Sequence, residues 1–380
     1  MGINLKTMGA KIAKYREQLV ESISDVATST GIESSRLTAI EEGNVEATGD
    51  EVLILADHFR CDFKFFISNE RVAPFEQTDT LYRAHGGDFT KEDRRAVQDF
   101  LYLCETEAFL MAEMGCQHIP FPTPPSDSFY KRGGETAAAH LRQILGYADN
   151  AVPRDVYAEF RKLGVHIFRR KLGNSNISGL FIIHPVVGKC ALVNYSEDIY
   201  RQRFSAAHEM AHAIFDADQI ASVSYERTNG KDMREVRANR FASCFLMPPA
   251  FLAQLPNPAA WTDSETLSWA NKLRVSCNAL SIALKEAKLI DEAKSQHIGR
   301  LRVLRGEKID PELSTSLNST QHERKLHLLE RGLSDFYVGL CFDALNKGVI
   351  TVGRLAEALL SSHVELVELA SLYGRNLHGD

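Results

Sequence analysis

The sequence predicts a multidomain, mainly α chain in which one α+β unit, a small sheet beside a long buried helix, lies between helical regions. Three observations carry this. Residues 8–67 break into five short amphipathic stretches with helical spacing. Residues 165–194 hold three short runs rich in Val, Ile, Leu and Phe, the composition of strands. Between them, Pro120, Pro122, Pro124 and Pro125 make a stiff extended segment that marks a boundary. A length of 380 residues suits two or three domains. The expected divisions are 1–72, 73–130, 131–290 and 291–380.

The first five helices are expected over 8–19, 24–29, 33–42, 50–59 and 63–67, with Gly43 capping the third. A short helix containing Ala27, a turn at Gly31-Ile32, and a second short helix with Leu37 and Ile40-Glu41 resemble a helix-turn-helix of the Cro/repressor (XRE) type. The resemblance implies that Ser34, Ser35, Arg36 and Thr38 face a DNA major groove. It also places Ile23 where such domains open the second helix with a phosphate-touching polar residue. Residues 1–70 carry twelve Asp and Glu against seven Lys and Arg. Phosphate neutralisation dominates affinity for DNA, so docking of a protein competes with DNA as the use of this module.

Residues 75–90 read as a loop with a double glycine at 86–87. A long helix follows over 90–114, with Thr90 as N-cap and Glu92-Asp93 in its first turn, read as a spacer packed between domains. The α+β unit is expected to hold helices over 135–145 and 154–163, then strands over 165–168, 177–184 and 189–194. The last two strands form a hairpin. Helices over 204–215, 233–246, 269–273 and 277–287 complete it, the second stopped by Pro248-Pro249. Beyond residue 295, helices are expected over 322–345, 352–360 and 364–372 as a docking or dimerising cap. Basic residues at 300, 302 and 305 suggest a sensor patch.

The chemistry concentrates in His208-Glu209-Met210-Ala211-His212. Two histidines four apart lie one turn apart on one helix face and can share a divalent metal, with Glu209 beside them as a base. The competing reading is a core helix with two hydrogen-bonded histidines. A zinc ion needs a third protein ligand. Asp218 lies shortly after the pair, but no glycine turns the chain back toward the metal. Glu235, on the following helix, is favoured, with small Ala238 allowing close approach and Asn239 placed one turn on to hold a ligand. Glu209 would take a proton from water and pass it to a leaving amine. His184, Tyr195, Tyr200 and Tyr225 are candidates to stabilise an oxyanion. The strand ending at Val193-Asn194 is the expected place for an extended substrate to pair. Cys190 and Cys244 read as core residues that could instead oppose the metal.

The run 203–212, the pattern Glu235-x-x-Ala238-Asn239-x-Phe241-Ala242 through Leu246-Met247-Pro248, and the strand Ala191-Leu192-Val193-Asn194 resemble the ImmA/IrrE zinc metallopeptidases. The resemblance covers about 131–290. It implies a zincin-like domain with Zn²⁺ on His208, His212 and Glu235, and a site-specific endopeptidase acting on a regulatory protein. That protein would be an XRE-type repressor encoded nearby, cut in a stress, phage or defence response. A DNA-binding transcriptional regulator whose peptidase-like domain senses or docks without cutting is the alternative. The partners implied are the protein substrate, DNA through residues 1–72, and a second copy in a homodimer. Seven cysteines without a Cys-x-x-Cys pair, no apolar signal core and no membrane-length apolar run point to the cytoplasm.

Overall fold

The computed structural model describes residues 3–69, 76–125, 129–219, 221–225, 232–313 and 316–377. The first five helices are α1 (Leu5–Gln18), α2 (Ile23–Thr30), α3 (Ser34–Glu41), α4 (Gly49–Phe59) and α5 (Phe63–Ile67). They form their own core around Ile12, Tyr15, Val26, Leu37, Ile40, Leu55 and Phe59. Capping boxes at Ser22/Asp25 and Thr48/Glu51 start α2 and α4.

Next come α6 (Glu76–His85) and α7 (Lys91–Glu113). The expected loop over 75–90 is therefore a helix that ends at the double glycine. Thr78, Leu81 and Tyr82 have helical spacing, and Leu81 is buried in the core beneath α7. Thr90 caps α7, and the buried Asp93 carboxylate accepts from the Thr90 and Gly173 amides, tying the helix start to the loop after β1 (His166–Arg170). The segment with four prolines has no helix or strand, but it is held. The Ile119 amide donates to the Lys162 carbonyl, and Phe121 packs on the neighbouring core under the Lys189 ammonium.

The helices α8 (Tyr130–Ile144) and α9 (Val156–Lys162) precede β1, and β2 (Ile177–His184) and β3 (Gly188–Asn194) follow it. Then come α10 (Ile199–Phe215), β4 (Ala221–Tyr225) and α11 (Met233–Leu246). The sheet has the order β1-β3-β2-β4 among the described residues. The β1–β3 pair is parallel, and both pairs made by β2 are antiparallel. Strand β4, with its serines alternating with Ala221, Val223 and Tyr225, was not foreseen.

The sheet is covered on both faces, which is why its strands read as nearly continuous apolar runs. Ile167, Phe181, Ala191 and Val193 face the core that includes α10 and α11. Phe168, Leu180, Ile182, Leu192 and Val223 face the core of α7 and the C-terminal helices. The long helix is thus the cover of the second sheet face rather than a spacer.

The remaining helices are α12 (Pro249–Leu252), α13 (Asp263–Leu273), α14 (Cys277–Glu286), α15 (Glu292–Arg300), α16 (Ser319–Glu330), α17 (Asp335–Asn346), α18 (Val352–Ala358) and α19 (His363–Leu372). The single helix expected over 322–345 is two. Gly332 takes a left-handed φ of +90°, and Ser334 then caps α17 by accepting from the Tyr337 amide.

The segment between α15 and α16 is pinned to the sheet by charge. Arg169 on β1 donates to both Asp310 oxygens, at 2.7 and 3.0 Å, and pairs with Glu312. All three side chains are buried. Removing one member of such a cluster leaves uncompensated buried charge. Arg169→Ala is expected to cost roughly 3–5 kcal/mol in urea unfolding. Arg302→Ala, on the exposed part of the same segment, is expected to change stability by less than about 0.5 kcal/mol.

Candidate metal centre

The site forms where α10 is pressed between the sheet and α11. Arg203, nearly fully buried, anchors the first half of α10 by donating to the Arg154, Pro153 and Arg274 carbonyls. Ala207, Ala211 and Ala238 keep the α10–α11 contact close. Two turns of α10 then present His208, Glu209 and His212 to the space beside Glu235.

One ligand atom from each of His208, His212 and Glu235 lies within 4.8 Å of the others. His208 Nε2 is 3.2 Å from Glu235 Oε2, and His212 Nε2 is 3.2 Å from Oε1. The two Nε2 atoms are 3.1 Å apart. The outer ring nitrogens are each held. His208 Nδ1 meets Asn239 Oδ1 at 3.0 Å, and His212 Nδ1 meets Asp216 Oδ2 at 2.7 Å. These acceptors favour the tautomer with Nδ1–H, which leaves both Nε2 lone pairs aimed at one point.

Asp216 was missed in the sequence. It ends α10, one turn after His212, and its other oxygen accepts from Arg237 at 2.5 Å. Burial opposes its ionisation, but His212 and Arg237 hold the carboxyl below the usual range. Burial would also lower the His212 pKa, yet with no cation between them Asp216 and Glu235 push it up to about 10, so a bound metal displaces the Nε2 proton and takes the lone pair. Burial would raise Glu235, and the two histidines more than reverse this, so it is ionised. A divalent cation fits this set: two imidazole nitrogens and a carboxylate converge, and the Glu235 oxygens face the two Nε2 atoms at 3.2 Å and little else. Asp218 is exposed and outside the cluster.

Glu209 is fully buried, and among the described residues no group makes a well-formed hydrogen bond to it, although the Ser224 hydroxyl lies against its carboxylate. Burial raises its pKa, partly offset by His212, His208 and Ser224. Room for it comes from the sheet. A Cβ built on Gly179 of β2 would lie 2.7 Å from Glu209 Oε1 and 2.8 Å from the Leu192 carbonyl oxygen. The cleft outside the triad has a volume of about 1040 Å³, and Phe204, Ser224, Tyr225, Val236 and Asn239 are among its lining residues.

Other expected residues fall elsewhere. Val193 and Asn194 cannot receive a substrate strand, because β3 is interior. Val193 pairs with Gly179 on one side and Arg169 on the other. The Asn194 side chain is buried, accepting from Leu172 N and donating to the Ile177 carbonyl. Tyr200 and Tyr225 line the cleft, but the first hydroxyl is bound to Asn271 and the second donates to Asp88. Tyr195 lies over the Arg169 guanidinium, and buried His184 pairs with Glu105 and accepts from turn amides. Cys190 faces the opposite core from α10, and burial pushes the Cys244 thiol up to about 12. On α3, Ser34 and Ser35 are exposed, while Arg36 is tied to both Glu51 oxygens and to the Glu46 carbonyl. Thr38 donates to Ser34 O. Arg302 lines the cleft and donates to backbone carbonyls. No described helix is long and apolar enough to cross a membrane.

Residues 160–285 match the family model of the IrrE N-terminal-like domain, peptidase family M78. The match spans the whole sheet, α10 and α11, so every member of the triad and Glu209 lies inside it. It leaves residues 1–159 and 286–380 outside. No curated protein matches the chain.

The outer hydrogen bonds carry a test. Asp216→Ala is expected to weaken zinc binding about 10–100-fold, the usual cost of losing a group that orients a ligand. Asp218→Ala is expected to leave zinc affinity unchanged. Competition against a chromophoric chelator measures both.

Proposed function

We propose that the chain is a zinc-dependent endopeptidase that cuts a regulatory protein. The observation that carries this is Glu209. A carboxylate with both oxygens buried and no well-formed hydrogen bond among the described residues is costly to the fold, by about 1–3 kcal/mol or more. It lies beside a convergent His-His-Glu set and opens on a cleft large enough for a peptide. A binding-only site has no use for such a group.

Zinc held by His208, His212 and Glu235 would supply Lewis acidity to a water and to the scissile carbonyl. Glu209 accepts the proton of the attacking water and delivers it to the leaving amine. Asn239 and Asp216 hold the two imidazoles in the orientation that binding requires. Among the described residues β4 pairs only with β2, and α6 and the turn after it lie against it through Tyr225, His85 and Asp88, so the stretch of β4 that reaches the cleft, rather than interior β3, is the place for a substrate strand. A substrate segment pairs there in extended form, its backbone alongside Ser224 and Tyr225 at the mouth of the cleft.

The substrate we infer is an XRE-type repressor encoded nearby and cut in a stress, phage or defence response. The reading rests on the resemblance to ImmA/IrrE peptidases and on the family match at 160–285. The N-terminal module, itself XRE-like in sequence, then serves to dock a protein. Its one arginine at the expected reading face is neutralised by Glu51, which disfavours phosphate contact.

Glu209→Gln removes the base and leaves the three ligands in place. The expected result is full zinc content, an unchanged melting temperature and a loss of at least about 10²-fold in cleavage of the co-expressed repressor. Intact repressor with both wild type and variant, while repression is relieved by both, would instead favour a regulator that does not cut.

A further inference from the structure

Glu209 has no hydrogen-bond partner on its own helix, and the sheet above supplies a candidate. Gly179 pairs with Ser224 of β4, and both belong to the sheet face that α10 covers. Gly179 is identified with that face because an added Cβ would strike Glu209. Directly opposed residues in an antiparallel pair project to the same side, so the Ser224 side chain also leaves the sheet toward α10. Val223, its neighbour, is buried in the opposite core, as alternation requires.

Ser224 is 3% exposed, its hydroxyl lies against the Glu209 carboxylate but makes no well-formed hydrogen bond among the described residues, and it lines the cleft together with His208 and Glu209. Its placement on a strand that is at the sheet's edge among the described residues is also informative. Any peptide that pairs with β4 approaches the residue that faces the base.

We infer that Ser224 is a positioning residue for Glu209. With a peptide along β4 and bulk water displaced, its hydroxyl donates to the Glu209 carboxylate and fixes the orientation from which the base accepts and returns a proton. A hydroxyl on the sheet suits this task, because Glu209 has three rotatable side-chain bonds and packing against Gly179 limits its position without fixing the orientation of its carboxylate. The inference rests on the peptidase reading. Ser222 provides an internal control. It lies two residues earlier on the same strand and face, its hydroxyl is also buried without a partner, and it does not line the cleft.

The test uses the zinc-loaded full chain with Ser224→Ala, Ser224→Thr and Ser222→Ala. Turnover is read on an internally quenched peptide library, alongside zinc content and melting temperature. Ser224→Ala is expected to lower kcat by roughly ten- to a hundredfold, the scale of one hydrogen bond to a charged group, with KM within about twofold. Ser224→Thr, which keeps the hydroxyl, recovers most of the loss, and Ser222→Ala leaves kcat unchanged. A second readout needs no turnover. With a peptidyl hydroxamate bound, the infrared carboxylate band that Glu209→Gln abolishes is expected to shift in Ser224→Ala and to hold in Ser222→Ala. Unchanged kcat, or a rise in KM alone, would overturn the inference. So would equal effects at Ser222 and Ser224. If wild type cleaves no peptide, the peptidase reading fails, and an unshifted infrared band would then overturn the role of Ser224 separately.

Discussion

A buried carboxylate with no well-formed hydrogen bond among the described residues, held between a sheet and a helix, is the constraint around which this chain is built. Glu209 is withdrawn from bulk solvent at the wall of the cleft, and its helix offers it no donor among the described residues. The fold must therefore leave space in the sheet, bring positive or metal charge close by, and keep that helix from moving. Gly179 gives the space. The buried Arg203, bonded to three carbonyls, holds the helix. The charge is arranged by a chain of contacts running from Arg237 through Asp216 to His212 and Glu235, so that each ionised group is matched by the next.

The rest of the architecture makes this site stiff. A small sheet with one bare face could flex away from α10. Here α7 and the C-terminal helices close the second face, so the strand that carries Gly179 is packed from both sides. The segment between α15 and α16 borders the cleft through Arg302 and Lys308, and Arg169 fixes its far end to β1. Parts of the chain distant in sequence thus bear on one helix, and sub-ångström placement of the base becomes a property of the whole core.

How far the sequence revealed this depends on the range of the signal. The helix bearing the two histidines, the Glu235 helix and the Asn239 contact follow from spacing within one or two turns, and each is legible from a few residues. Asp216 is within the same range, four residues after His212, but it lies just past the last helical residue, where i, i+4 spacing alone does not show whether the chain still turns. The misplaced substrate strand has a different cause. Which strand is at an edge depends on pairing between β2 and β4, which lie some forty residues apart, and no local pattern in 188–194 reports it. The broken helix at Gly332 shows how apolar periodicity on both sides of one glycine reads as continuous. The role of Gly179 is invisible in sequence, because the collision it avoids is with a side chain thirty residues away.

The most direct measurement is a profile of newly formed protein N-termini in the cell that encodes the chain, under inducing stress, compared with a cell carrying the Glu209→Gln form. The account predicts a very small set of new N-termini that require Glu209, with a DNA-binding repressor among the proteins cut. Identical profiles in the two cells, with the zinc-loaded protein present in both, would contradict it.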